Sequence, residues 1–247
     1  MYSEIIMVAL FLSGIVIRQS DFLSEQKKFE HVRQAFYDKG TLVTETLENA
    51  RINPKKLNVL FVVFKQEREL VLYAKNNSSE KYQQLKTYPI CEVPGNPGPK
   101  RQQGDNQVPE GFYHIDRYNP ASRFYLSLGI NYPNAADLKK TTAVDPGGDI
   151  FIHGSCVTIG CLPMTDEIIK EIYIYAIQAR ANGQMNMPVY IFPFKMTPEN
   201  MAGYLSRHPG NPDLTEFWSG VKAGYDRFQQ TSQELVIKVD NRGNYTF

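Results

Sequence analysis

The chain has 247 residues, enough for one sizeable domain with extensions or for two small domains. A hydrophobic fraction of 42% and a charged fraction of 21% are those of a globular protein and exclude a disordered chain. The formal net charge of +1 supplies no global field for a polyanion, so no nucleic-acid partner is expected.

The chain opens on an apolar run. Ile5 to Ile17 reads IIMVALFLSGIVI, without a charge until Arg18. A membrane-spanning helix needs about 20 apolar residues. The run therefore suits the apolar region of an export signal. Met1 to Glu4 carries no Lys or Arg, and no small-x-small cleavage site follows, so an uncleaved anchor and a buried helix stay open. Residues 1–20 are assigned to this signal or anchor.

Residues 21–56 read as an N-terminal helical extension. Phe29, Val32, Ala35 and Phe36 recur at helical spacing, Lys39-Gly40 supplies a stop and Thr41-Leu42-Val43 a restart. Two short helices are expected, with His31 at the surface. From Leu57 the pattern changes to β-branched and aromatic runs: Leu57–Phe64, Leu70–Tyr73 and Tyr82–Ile90 read as a strand meander. Glu92 to Glu110 is rich in Pro and Gly and forms a long loop of functional or disordered type. Gly111–Ile115, Phe124–Ile130, Asp149–Ile152 and Pro188–Phe192 read as further strands, with His114 an ordinary strand histidine. Thr165 is a fitting N-cap for a helix to about Ala181, whose apolar face is Ile168, Ile169, Ile172, Ala176 and Ala179. Helices near Pro198–Ser206 and Leu214–Gln229 follow, with His208 in a solvated turn between them and a closing strand at Glu234–Val239. The sum is an α+β fold with a mixed sheet and peripheral helices.

Three cysteines, Cys91, Cys156 and Cys161, are too few for a disulfide scaffold, and the odd number leaves one thiol free or paired with another chain. The stretch from Phe151 to Thr165 gathers the chemistry. A buried strand delivers His153 at its end, and Cys161 follows shortly before a helix start, where free N–H groups and the dipole favour a thiolate. Gly160 lets an acyl oxygen approach, with the N–H groups around Cys161 as an oxyanion hole. A neutral His153 within hydrogen-bond reach would take the thiol proton and return it to a leaving amine. Ser155, through hydroxyl or carbonyl, is the nearest group to orient that imidazole. Two blander readings stand beside this one: a buried structural thiol in a capping turn, and a Cys₃His metal site from His153, Cys156, Cys161 and Cys91, whose spacing is loose for zinc. No metal or cofactor is expected.

Ile152-His-Gly-Ser155 with Thr158-Ile-Gly-Cys161 resembles the His-Gly and Ser/Thr-x-Gly-Cys motifs of the YkuD-type L,D-transpeptidase catalytic domain. Six segments are similar to its YafK-like branch: Gly98–Asp105, Pro109–Tyr113, Ser122–Tyr125, Tyr132–Ala135, His153–Cys161 and Tyr190–Met196. The resemblance implies a mixed-sheet L,D-transpeptidase-like domain over residues 57–247, export to the periplasm or cell envelope, and action on peptidoglycan stem peptides at meso-diaminopimelate. It implies Cys161 as nucleophile, His153 as base and Gly160 in the oxyanion turn. Two positions depart from the family pattern: Ile159 stands where a His usually precedes Gly-Cys, and Pro163 where an Arg usually follows. Arg123, Lys100 or Arg101 are candidates to replace that cation, with Tyr132 and Thr158 as further substrate contacts. If Cys161 stays free, Cys91 and Cys156 are left to form a disulfide that fixes the turn. The branch is associated with an amidase that frees wall-linked protein, which favours hydrolysis. Formation of 3–3 cross-links or protein attachment, and a non-catalytic wall-binding module, are the alternatives.

Overall fold

The computed structural model describes residues 19–247, so the expected export segment lies almost wholly outside the described residues. Two helices come first, α1 (Gln19–Gln26) and α2 (Glu30–Asn49). Three strands follow, β1 (Leu57–Phe64), β2 (Glu69–Asn76) and β3 (Gln83–Pro89). After the long loop come β4 (Gly111–Asn119), β5 (Ser127–Ile130), the short helix α3 (Ala135–Lys140), β6 (Phe151–His153) and β7 (Leu162–Pro163). The chain then runs through α4 (Asp166–Ala181), β8 (Met187–Phe192), α5 (Pro198–Ser206) and α6 (Pro212–Thr231) to the small strands β9 (Lys238–Val239) and β10 (Tyr245–Thr246).

The main sheet has eight strands in the order β3-β2-β1-β8-β4-β5-β6-β7, parallel only between β1 and β8 and between β6 and β7. Alternation along β1 explains the layering. Val59, Phe61 and Val63 pack with α2 and α4 on one face, while Leu60, Val62 and Phe64 pack with α5 and α6 on the other. Strand β8 sits at the centre, covered on both sides and buried at every position, which is why it reads as an unbroken apolar run. The fold is α+β with a curled mixed sheet, as expected.

Some boundaries differ from the sequence expectation. Helix α2 runs through Lys39-Gly40 without a break. A glycine inside a helix costs about 1 kcal/mol, which the burial of Val32, Ala35, Val43 and Leu47 along one stripe outweighs. Helix α4 buries far more than one face, because α1 and α2 cover the side turned away from the sheet and enclose Tyr173, Ile174, Tyr175 and Ile177 as well. The expected strand over Phe124–Ile130 begins only at Ser127, since Tyr125 adopts a left-handed backbone with φ of 69°. The closing strand shrinks to Lys238–Val239, paired with Tyr245–Thr246 apart from the main sheet. His208 is half-buried rather than solvated: its Nδ1 donates to the Tyr204 carbonyl at 2.8 Å and its ring meets Trp218.

Candidate active site

Strand β6 pairs with β5 so that His153 lies opposite Ser127 and ends the strand at the sheet margin. The imidazole is 2% exposed. Its Nδ1 stands 2.6 Å from the Gly154 carbonyl. A carbonyl only accepts, so Nδ1 carries the hydrogen and Nε2 keeps a free lone pair. The Phe124 ring covers the imidazole at a centroid distance of 4.6 Å. Burial pushes the His153 pKa down, with the Gly154 carbonyl pulling the other way, so the ring is neutral at pH 7. The orienting group expected at Ser155 is therefore the Gly154 carbonyl. Ser155 faces solvent, and its N–H donates to Asp166 Oδ1 at 2.8 Å.

Gly154 is required by space. An added Cβ would stand 2.6 Å from Asp166 Oδ1 and 2.8 Å from the Phe124 carbonyl oxygen. The next two residues, Ser155 and Cys156, both take left-handed φ, 71° and 47°. Non-glycine residues disfavour this by roughly 1–2 kcal/mol each, so neighbours must hold the turn. They do: Cys156 is bonded to Cys91 with Cα atoms 5.4 Å apart, and the Cys156 N–H donates to the Met164 carbonyl at 3.2 Å. The disulfide also takes two of the three sulfurs that a Cys₃His metal site would need.

Cys161 is the free cysteine. The helix starts where expected, with Thr165 capping α4, but β7 and that cap separate its free N–H groups from Cys161. The dipole therefore gives the thiol little help. Burial pushes its pKa up; a Phe151 backbone hydrogen bond and Lys100 pull it down, and Asp149 raises it again. The Cys161 Sγ–H donates to the Asp149 carbonyl, 3.6 Å away. The expected oxyanion donors are also engaged. Thr158 Oγ1 accepts from the N–H groups of Gly160 and Cys161 at 3.1 and 2.7 Å and donates to the Cys161 carbonyl at 3.0 Å. Gly160, at φ of 145°, passes close to the Gln107 carbonyl, which would lie 3.2 Å from a Cβ.

Cys161 and His153 line one cavity of about 690 Å³, with Asn119, Arg123, Phe124, Asp149, Phe151, Val157, Thr158 and Ile159 in its walls. Its rim is apolar and open: Ile159 is 83% and Val157 55% exposed. Arg123 is exposed on this rim and makes no ion pair among the described residues. The other cationic candidates are committed elsewhere. Lys100 is buried, bound to Asp105 at 2.7 Å and to the Gln102 carbonyl at 2.8 Å. Arg101 is paired with Asp137 at 3.1 Å, lies over Phe217 and faces a separate cavity. Tyr132 is buried, donating to the Pro146 carbonyl at 3.0 Å. None of the three lines the cavity that holds Cys161 and His153. Asp149, Phe151 and Phe124 were missed from sequence, since a backbone carbonyl and two aromatic rings leave no chemical signature in a motif.

The model of the YkuD family, the L,D-transpeptidase catalytic domain, matches residues 58–191. Over 189 residues the chain is 41% identical to the protein named "Putative L,D-transpeptidase YafK" of Escherichia coli K12, covering 76% of this chain and 72% of that one. Among solved structures, the helical cell shape determining protein Pgp2 of Campylobacter jejuni is similar with a TM-score of 0.44 and 18% identity, over 75% of this chain and 74% of that one. Bd1075 of Bdellovibrio bacteriovorus follows with a TM-score of 0.40 and 19% identity, over 70% of each chain. The chain belongs to the YkuD family of L,D-transpeptidase catalytic domains, which acts on peptidoglycan stem peptides.

Proposed function

We propose that this chain is an exported cysteine enzyme that cleaves an amide beside meso-diaminopimelate through a Cys161 acyl-enzyme. The observation that carries the reading is the shared cavity, in which a free thiol and a neutral imidazole with one open nitrogen both face the same space. Cys161 Sγ attacks the peptide carbonyl while Nε2 of His153 takes the thiol proton, so no separated charge is held at rest. Collapse of the tetrahedral intermediate breaks the C–N bond, and the proton passes from Nε2 to the leaving amine. Water, deprotonated by the same nitrogen, then hydrolyses the thioester. The Gly160 and Cys161 amides reach the oxyanion once the Thr158 hydroxyl turns away from them. Arg123 is the cation free to meet a substrate carboxylate.

Hydrolysis is favoured over transfer because Ile159 and Val157, exposed on the rim beside Cys161, offer no second side-chain base to an incoming amine acceptor. The transfer reading, 3–3 cross-linking or protein attachment, draws support from the name of the Escherichia coli relative. Export rests on the apolar run Ile5–Ile17, and a wall-linked protein is the candidate released partner. The test is incubation with purified muropeptides and with protein-linked sacculi, products resolved by mass. Released peptide or protein supports hydrolysis, new cross-links or amine exchange support transfer, and equal product from a Cys161→Ala variant sinks the nucleophile assignment.

A further inference from the structure

The N-terminal helices lie outside the stretch that the family model matches, yet α2 reaches the loop covering the imidazole. We propose that His31 is a positioning residue for His153, acting through Tyr125 and Phe124; this rests on the reading of His153 as the base. The His31 Nδ1 stands 2.8 Å from the Tyr125 carbonyl, to which it must donate, and its ring packs on the Tyr125 ring at 4.5 Å. Tyr125 carries the left-handed φ of 69°, a conformation that a residue with a side chain keeps only when its surroundings impose it. Its hydroxyl is buried without a partner, so the ring is not held by its tip. It is held on its faces, by His31 from α2 and by Lys170 of α4, whose Nζ lies 5.7 Å from the ring centroid. Lys170 is in turn fixed by Asp38 of α2 and by Glu167.

One residue earlier the same loop meets the base. The Phe124 carbonyl accepts from the Gly154 N–H at 3.0 Å, and the Phe124 ring covers His153. The path from helix to imidazole is thus one hydrogen bond, one peptide unit and one ring contact. Without the His31 donor, Tyr125 relaxes toward ordinary backbone angles and carries the Phe124 ring off His153, letting water in. The ionisable groups around His153 are Cys161, Asp149 and Arg123, which line the same cavity, and Asp166 of α4 behind Gly154.

The test uses the purified chain and NMR titration of its imidazoles, of which there are four, assigned by single His→Gln variants. His31→Ala is expected to raise the His153 midpoint by about 0.5 pH unit and to lower kcat on diaminopimelate-containing muropeptides about tenfold with KM little changed. His31→Asn, whose amide still donates, is expected to restore most of both. Val43→Ala, which empties buried volume further along α2, is the control: melting temperature falls while the His153 midpoint stays. A wild-type midpoint and kcat in His31→Ala, or the same shifts in Val43→Ala, overturn the proposal. Undiminished turnover by His153→Ala overturns the base assignment instead, and does so whatever the His31 variants show by NMR.

Discussion

Two polar clusters of this molecule use their hydrogen-bonding capacity in opposite ways. In the first, Glu110 Oε1 accepts from Lys65 Nζ and the Gly98 N–H, both at 2.8 Å, and Oε2 accepts from Trp218 Nε1 at 2.9 Å. Lys65 spends its other two hydrogens on the Gly98 and Val108 carbonyls. Both ions are almost completely buried, and little capacity is left over. In the second, His153 spends one nitrogen on a carbonyl and Cys161 makes one long contact, leaving Nε2 and Sγ to a cavity. A buried ionisable group whose partners are complete holds structure together. One that keeps an open valence beside empty space is available for chemistry.

The largest test of that contrast is Cys161→Ala, expected to lower turnover by 10³-fold or more while melting temperature stays close to wild type, as read by product mass and thermal unfolding. Lys65→Met is its mirror image. Stranding Glu110 without its cation should cost about 3–5 kcal/mol of stability by the usual penalty for a broken buried pair, seen as a lower denaturation midpoint, with the site chemistry retained in the fraction still folded. The disulfide touches both properties. Replacing Cys91 and Cys156 by Ser opens a loop with a sequence separation of 65, worth about 4 kcal/mol in the chain-entropy account, and frees the Ser155–Cys156 turn, so stability and turnover should fall together. A variant that loses stability alone would show that the disulfide does not shape the site.

Smaller effects sharpen the open cluster. Arg123→Ala should raise KM about tenfold for substrates with a free carboxylate, the value of one charge-assisted contact, and should not affect an amidated substrate. The sign of the pH dependence follows from His153. Its folded pKa is depressed by burial, so its contribution to stability is fully present above the unfolded value of about 6.5 and is lost as pH falls through the folded pKa. The acid limb of kcat/KM should accordingly lie below that of a free imidazole; a limb above it would contradict the buried neutral base.

Much of the scaffold was legible in the residues. The β-branched and aromatic run Leu57–Phe64, the unbroken run at Pro188–Phe192 and the Thr165 cap mark elements that local chemistry dictates, and each is present close to its expected bounds. The motif residues led to the family, and His153 and Cys161 do share a cavity. The details that control reactivity were not legible. That Leu162 and Pro163 form a strand between Cys161 and the helix depends on their pairing with β6. Whether Lys100, Arg101 or Arg123 is free depends on where Asp105 and Asp137 come to rest.

By itself the sequence determined the residue types of the family motif, their order and the strand that carries the histidine, because these follow from local pattern and side-chain chemistry. Only the tertiary structure decided which carbonyl orients His153, that Thr158 holds the Gly160 and Cys161 amides, that burial raises the thiol pKa, and that His31 of a distant helix bonds the Tyr125 carbonyl. Those outcomes depend on desolvation and on competition among partners brought together from far apart in the chain, and neither quantity exists before the chain folds.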